Sequence, residues 1–202
     1  PENYVMKSTV TEIGKYVFSG NTTVKTATIS NSVTAISYGA FYGCSALESV
    51  ALPEGLVDID YASFENSGIK SINLPSTVKY ISSQAFKDCG NLASVSLNEG
   101  LEYICSHAFE NSGVTSIIIP DSVVEVDYKA FYNCDSLTNV VIGSGVGELT
   151  SSNFADCDSL KEFNVPATIE QLSASVIRDC SSLERINVAS NNPNYSSIDG
   201  VL

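Results

Sequence analysis

The hydrophobic positions of this chain recur with a long, regular period. Phe18, Phe41, Phe64, Phe86, Phe109, Phe131 and Phe154 are spaced 23, 23, 22, 23, 22 and 23 residues apart, and Ile177 follows after another 23. An aliphatic residue precedes each by eight positions, from Val10, Val33 and Leu56 through to Ile169. Another precedes each by five, from Ile13, Ile36 and Ile59 through to Leu172. After each phenylalanine comes a segment of the form L-x-x-V-x-L, as in Leu47-Val50-Leu52 and Leu92-Val95-Leu97. Its last two apolar places are two apart, the period of a strand with one buried face. Val and Ile suit that pleated surface. Pro or Gly often follows and ends the strand, as at Pro53, Pro75, Pro120 and Gly143.

Coils therefore begin at Val10, Val33, Leu56, Val78, Leu101, Val123, Val146 and Ile169. One coil cannot close a core, because its apolar side chains form only a thin layer. Stacking like layers buries them against one another, so the array is stable only collectively. Parallel strands spaced about 4.8 Å apart would give a rod on the order of 40 Å long. The pattern predicts two strand ribbons, one from L-x-x-V-x-L and a weaker one from V-x-x-I, with a short helical turn at "YGAFYGC". Two coils lose a residue where "FENSGIKSI" and "FENSGVTSI" replace "FYGCSALESV", and Gly68 and Gly113 are read as absorbing the tighter path.

The segments "LPEGLVDIDYASFENSGIKSINLPST", "LPSTVKYISSQAFKDCGNLASVSLNEG" and "IPDSVVEVDYKAFYNCDSLTNVVIG" resemble the BspA-type, or Treponema-type, leucine-rich repeats. The resemblance runs from Val10 to Val188, and "NPNYSSIDGVL" is similar to a segment that interrupts such arrays. It implies a leucine-rich-repeat solenoid of about eight coils, mainly β, from a secreted or surface-attached microbial protein. Such repeats are taken as attachment or protein-binding modules and carry no known catalytic residues. Asn153 and Val176-Ile177 depart from the Ala-Phe pattern. Residues 1–202 are expected to form a single domain cut from a longer protein at both ends. Tyr4 and Met6 align with Val50 and Leu52, and the chain ends on apolar Val201-Leu202 without a polar cap.

Charge narrows the partners. With 23 acidic residues against 10 basic ones the formal net charge is −13, a surface that repels nucleic acid and anionic lipid. No apolar run approaches the length of a membrane-spanning helix.

Candidate chemistry is sparse. Five of the six cysteines (Cys44, Cys89, Cys134, Cys157 and Cys180) sit three places after the Phe or Ile, which reads as a column of buried free thiols; Cys105 stands off it. The lone His107 occupies a place held elsewhere by Gly39, Ala62, Gln84 and Lys129, so it reads as solvent-facing with no catalytic partners. Asx residues recur two places after the Phe, a turn position whose side chains bond nearby backbone amides; Asp156 and Asp179 beside Asp158 admit calcium as an alternative. Tyr38, Tyr61 and Tyr128 share one column and Tyr80 and Tyr103 another, read as recognition or as packing over a turn.

The outward places of the main strand offer the candidate contact face: Ser94, Ser96, Ser116, Ile118, Asn139, Val141, Glu162 and Asn164. They are small and mostly uncharged, with Ile118 and Val141 as an exposed apolar pair. The expected function is a non-enzymatic extracellular or cell-surface module binding a protein or glycan, such as a host surface or matrix component. No cofactor or metal is called for. The alternatives are a passive spacer that displays another domain and a calcium-binding repeat.

Overall fold

A computed structural model describes residues 2–198. Val201-Leu202 lie outside the described residues. The chain forms β1 (Asn3–Val5), β2 (Glu12–Ile13), β3 (Thr26–Thr28), β4 (Ala35–Ile36), β5 (Ser49–Ala51), β6 (Asp58–Ile59), β7 (Ser71–Asn73), β8 (Tyr80–Ile81) and β9 (Ser94–Ser96). It continues through β10 (Tyr103–Ile104), β11 (Ser116–Ile119), β12 (Glu125–Val126), β13 (Asn139–Ile142), β14 (Glu148–Leu149), β15 (Glu162–Val165), β16 (Gln171–Leu172) and β17 (Arg185–Val188). These are the stacked coils of a solenoid of about eight turns.

Odd-numbered strands build one parallel ribbon and even-numbered strands a second. The short strands follow from alternation: in β7 Ser71 and Asn73 point out while Ile72 is buried. Register keeps the sequence phase across both coil lengths, with Ser49 opposite Ser71 and Ser71 opposite Ser94. At the start of the chain Tyr4 pairs with Ala27, which pairs with Val50, as the alignment requires.

The first ribbon is not continuous. Its hydrogen-bonded ladders are β1-β3-β5-β7-β9, then β11-β13, then β15-β17. The second runs from β2 to β12 and resumes with β14-β16. The departure at Asn153 explains that last gap. Asn153 is fully buried at a place where four other coils carry Ala, and its amide nitrogen donates to Val126 O at 2.7 Å and Asp127 O at 3.0 Å. Those carbonyls face the next coil, and the side chain takes them in place of a strand partner.

The interior is built of single files. Rings of consecutive coils stack nearly parallel from Phe18 to Phe154, at centroid spacings of 5.0 Å for Phe18–Phe41, 5.3 Å for Phe64–Phe86 and 5.2 Å for Phe131–Phe154. Phe41 to Phe154 are all buried, and burying each ring contributes about 2–3 kcal/mol. The file ends where Ile177 replaces the ring; there Phe163 packs on Phe154 at 5.7 Å, tilted by 55°.

The predicted helical turn is corrected. The stretch around each Phe is a run of turns, and among the described residues one short 3-10 helix, Ala174–Ile177, is the exception. In the first seven coils two places take left-handed backbone, which stops an α-helix from propagating; the eighth coil, which carries the 3-10 helix, has one, Asp179. In the fifth coil the two are His107 (φ 59°) and Asn111 (φ 56°). Amides then alternate in direction: Ala108 N and Glu110 N close turns onto Cys105 O and His107 O, while Phe109 N reaches across to Ala130 O at 2.7 Å. The turns thus form a third line of hydrogen bonds between coils. This conformation also accounts for the recurrent Asx, which tolerate positive φ better than most residues. The side chains of three of them bond across coils: Asn111 Nδ2 donates to Asp88 Oδ1 at 2.6 Å, and Asn133 Nδ2 to Asn111 Oδ1 at 2.9 Å. Gly68 serves a different need: a Cβ there would meet Ser45 O at 2.2 Å, so backbone proximity requires glycine.

Candidate ligand-binding face

Eight candidate residues lie on four adjacent strands of the first ribbon, all pointing outward. Ser94 and Ser96 belong to β9, Ser116 and Ile118 to β11, Asn139 and Val141 to β13, and Glu162 and Asn164 to β15. Register places Ser116 beside Asn139 and Ile118 beside Val141. Ile118 is 66% exposed and Val141 46%, so the pair is an open apolar spot.

The pair sits on the middle ladder, between the two gaps in the ribbon, and a depression lies on either side. One, of about 240 Å³, is lined by Val95, Ser96, Leu97, Glu99, Ser116, Ile118 and Pro120. The other, of about 430 Å³, spans β13, β15 and β17 and includes Val141, Asn164, Pro166, Asn187 and Val188. Pro120, Pro166 and Glu99 enter the face from the turns beyond the strands. The periodic pattern does not mark them, because it shows which way a strand residue points and not where neighbouring strands separate.

The charged residues inside this ribbon's strands are Glu162 and Arg185, and other charges flank the strands. Lys70 Nζ lies 2.7 Å from Glu48 Oε2, and this ion pair holds the Glu48 carboxyl below its usual range. Glu162 Oε1 lies 2.9 Å from Arg185 Nη1, so its charge is already answered within the solenoid. Asn164 Oδ1 likewise accepts from Asn187 Nδ2 at 3.0 Å. The strand places that stay free at the centre are uncharged, serine hydroxyls, Asn139 and the apolar pair, with Glu99 at the edge of the adjoining depression.

The other singled-out residues have structural partners. Each column thiol donates to the carbonyl of the preceding coil's phenylalanine, as Cys89 Sγ does to Phe64 O at 3.0 Å. Burial pushes the Cys89 thiol up to about 11. All six cysteines are free, with Cys105 half-buried. His107 is more enclosed than its variable column suggested: its Nδ1 meets the carboxylate of Glu110, and its ring abuts Tyr128 edge-on at 5.2 Å. Glu110 is buried and also lies 3.3 Å from Lys87 Nζ. The pattern missed this cluster because Glu110 occupies a place held in other coils by Tyr42, Glu65, Lys87 and Tyr132. The Asp158 carboxylate accepts from Ser181 N at 3.3 Å and that of Asp179 pairs with Arg178 at 3.1 Å. Among the described residues no group of three or more His, Cys, Asp or Glu converges as for a metal ion, and no helix is long and apolar enough to cross a membrane.

Comparison with known proteins follows the same lines. The model of the BspA type leucine rich repeat region matches in six copies, over residues 11–138 and 79–198. A comparison with curated proteins gives no match. Among solved structures, a leucine rich cell surface protein from Faecalibacterium prausnitzii is 25% identical, with a TM-score of 0.52 over 88% of this chain and 63% of that one. This chain therefore spans less than two thirds of that protein. The leucine rich repeat protein of T. pallidum is 24% identical, with a TM-score of 0.63 over 90% of this chain and 78% of its own. The pneumococcal vaccine antigen PcpA is 15% identical, with a TM-score of 0.53 over 99% of this chain and 76% of its own. The last two likenesses bear on the fold alone.

Proposed function

The chain belongs to the BspA-type leucine-rich repeat family, and from that premise we propose that it is a non-enzymatic binding module of a bacterial surface or secreted protein, taking a protein or glycan ligand on the outward face of its first ribbon. The observation that carries the reading is the open Ile118–Val141 pair on the middle ladder, with a depression on each side. Small hydroxyl and amide side chains around it let a partner's backbone or sugar ring approach closely, while the apolar pair supplies the area to be buried. Fold alone does not decide function, and the cell-surface description of the Faecalibacterium protein supports the location only by likeness.

The test is a panel of host matrix proteins and glycans presented to the immobilised chain. The reading expects at least one binder, lost in the double variant Ile118→Asp/Val141→Asp and retained in Glu162→Gln. The serines Ser49, Ser71, Ser94 and Ser116 form a uniform, unadorned column that also suits a spacer. Binding that survives replacement of the whole outward face would favour that second reading, and a panel with no binder would overturn the first.

A further inference from the structure

The second ribbon presents a chemically different face. Its strands and the residues beside them carry Asp58, Asp60, Glu102, Glu125, Asp127 and Glu148, with Lys79 as the cation among them. Lys79 is committed: it lies 3.2 Å from Glu102 Oε1 and donates to Gly100 O at 3.0 Å. Among the described residues no cation pairs with Asp58, Glu125 or Glu148.

In the middle of these carboxylates stand two tyrosines. Tyr80 and Tyr103 are register partners, stacked at 5.0 Å with ring planes 8° apart. Tyr80 is 49% exposed, and Val57 and Val124 extend the apolar surface at 45% and 50%. One face of the Tyr80 ring is covered by Tyr103. The other turns toward the preceding coil, where the much shorter Asp58 occupies the same column. The two preceding coils carry a depression of about 320 Å³, lined by Ala35, Ile36, Ser37, Asp58 and Asp60, with Ser82 of the Tyr80 coil at its edge.

We propose that this second face docks an arginine-rich segment of a partner protein, with one guanidinium lying on the open face of Tyr80 and forking to the Asp58 and Asp60 carboxylates. The inference is independent of the binding reading for the first ribbon. A flat cation stacks on an electron-rich ring and pairs bidentately with carboxylates, which the compact ammonium of lysine does less well. The occupant is therefore defined by chemistry: positive to complement the unpaired acidic charge, planar to use the ring, and extended to follow stacked coils.

Fluorescence anisotropy with labelled nona-arginine and nona-lysine, on the whole chain at about physiological salt, tests it. Nona-arginine should bind several-fold more tightly than nona-lysine. Tyr80→Gln should weaken nona-arginine about ten-fold and erase the difference between the peptides; glutamine already occupies this column at Gln171. Tyr80→Phe keeps the ring and should keep the preference, and Asp58→Asn/Asp60→Asn should lose it. Thr28→Ser, on an outward place of the first ribbon, should leave nona-arginine binding unchanged. Equal binding of the two peptides, an unchanged affinity in Tyr80→Gln, or no binding at all would overturn the proposal, the first by showing that bulk acidity alone attracts them.

Discussion

Asn111 illustrates what the repeat asks of one residue. Its φ of 56° lies in a region that costs most L-residues about 1–2 kcal/mol. Asn111→Val should therefore lower stability by about 1–2 kcal/mol, and Asn111→Gly by less, in urea unfolding monitored by circular dichroism. Phe86 makes the opposite demand, for volume: it is stacked between Phe64 and Phe109 at 5.3 Å on both sides. Truncation to Ala should cost about 3–5 kcal/mol, because neighbouring rings cannot collapse into a hole bounded by backbone. Cys89 makes a pH-dependent demand. Its thiol is raised from 9.0 to about 11 by burial, so the folded chain holds this proton more tightly than the unfolded one. Its share of the stability is full below pH 9 and falls between pH 9 and 11 by about 1 kcal/mol per pH unit. Denaturation at stepped pH should show a shallower fall in Cys89→Ser, a replacement that the same column already carries at Ser67 and Ser112.

At the scale of elements, both ribbons and their register were legible, because strand alternation at Val50-Leu52 or Ile72-Leu74 fixes which side chain turns inward. The turn around each Phe was not. A small, partly apolar stretch such as Tyr38–Cys44 satisfies a helical pattern as well as a series of turns, and only the left-handed places decide between them. The gaps in the ladders were equally hidden, since the buried alternation continues across each of them, as at Val95 and Ile117, Val126 and Leu149, and Val140 and Phe163. Asn153 is the exception: its departure from Ala was visible, and its consequence is a side chain standing in for a strand. Asn153→Ala removes the bonds to Val126 O and Asp127 O and should cost about 1–3 kcal/mol. Unchanged stability, with slowed hydrogen exchange at the Thr150 amide, would mean that β12 and β14 had paired instead.

The whole molecule is a one-dimensional stack with chemically distinct sides: a strand face whose outward places are mostly uncharged, and an acidic face around two tyrosines. The candidate face was legible as a set of outward columns. Its central position was not, because the flanking depressions come from how strands separate and not from which residues they carry. Stability that rests on neighbouring layers predicts that a whole coil can be removed. A chain lacking Leu101–Ser122 should fold, with its long axis shortened by about 5 Å in small-angle scattering, whereas loss of half a coil should abolish folding. Every statement about faces depends on like side chains lying one above another. Nuclear Overhauser contacts between ring protons in phenylalanine-labelled protein read this directly. Cross-peaks should join Phe41 to Phe64, Phe64 to Phe86 and Phe86 to Phe109, as spacings of 5.1, 5.3 and 5.3 Å require. Rings that show contacts only to residues of their own coil would contradict the account.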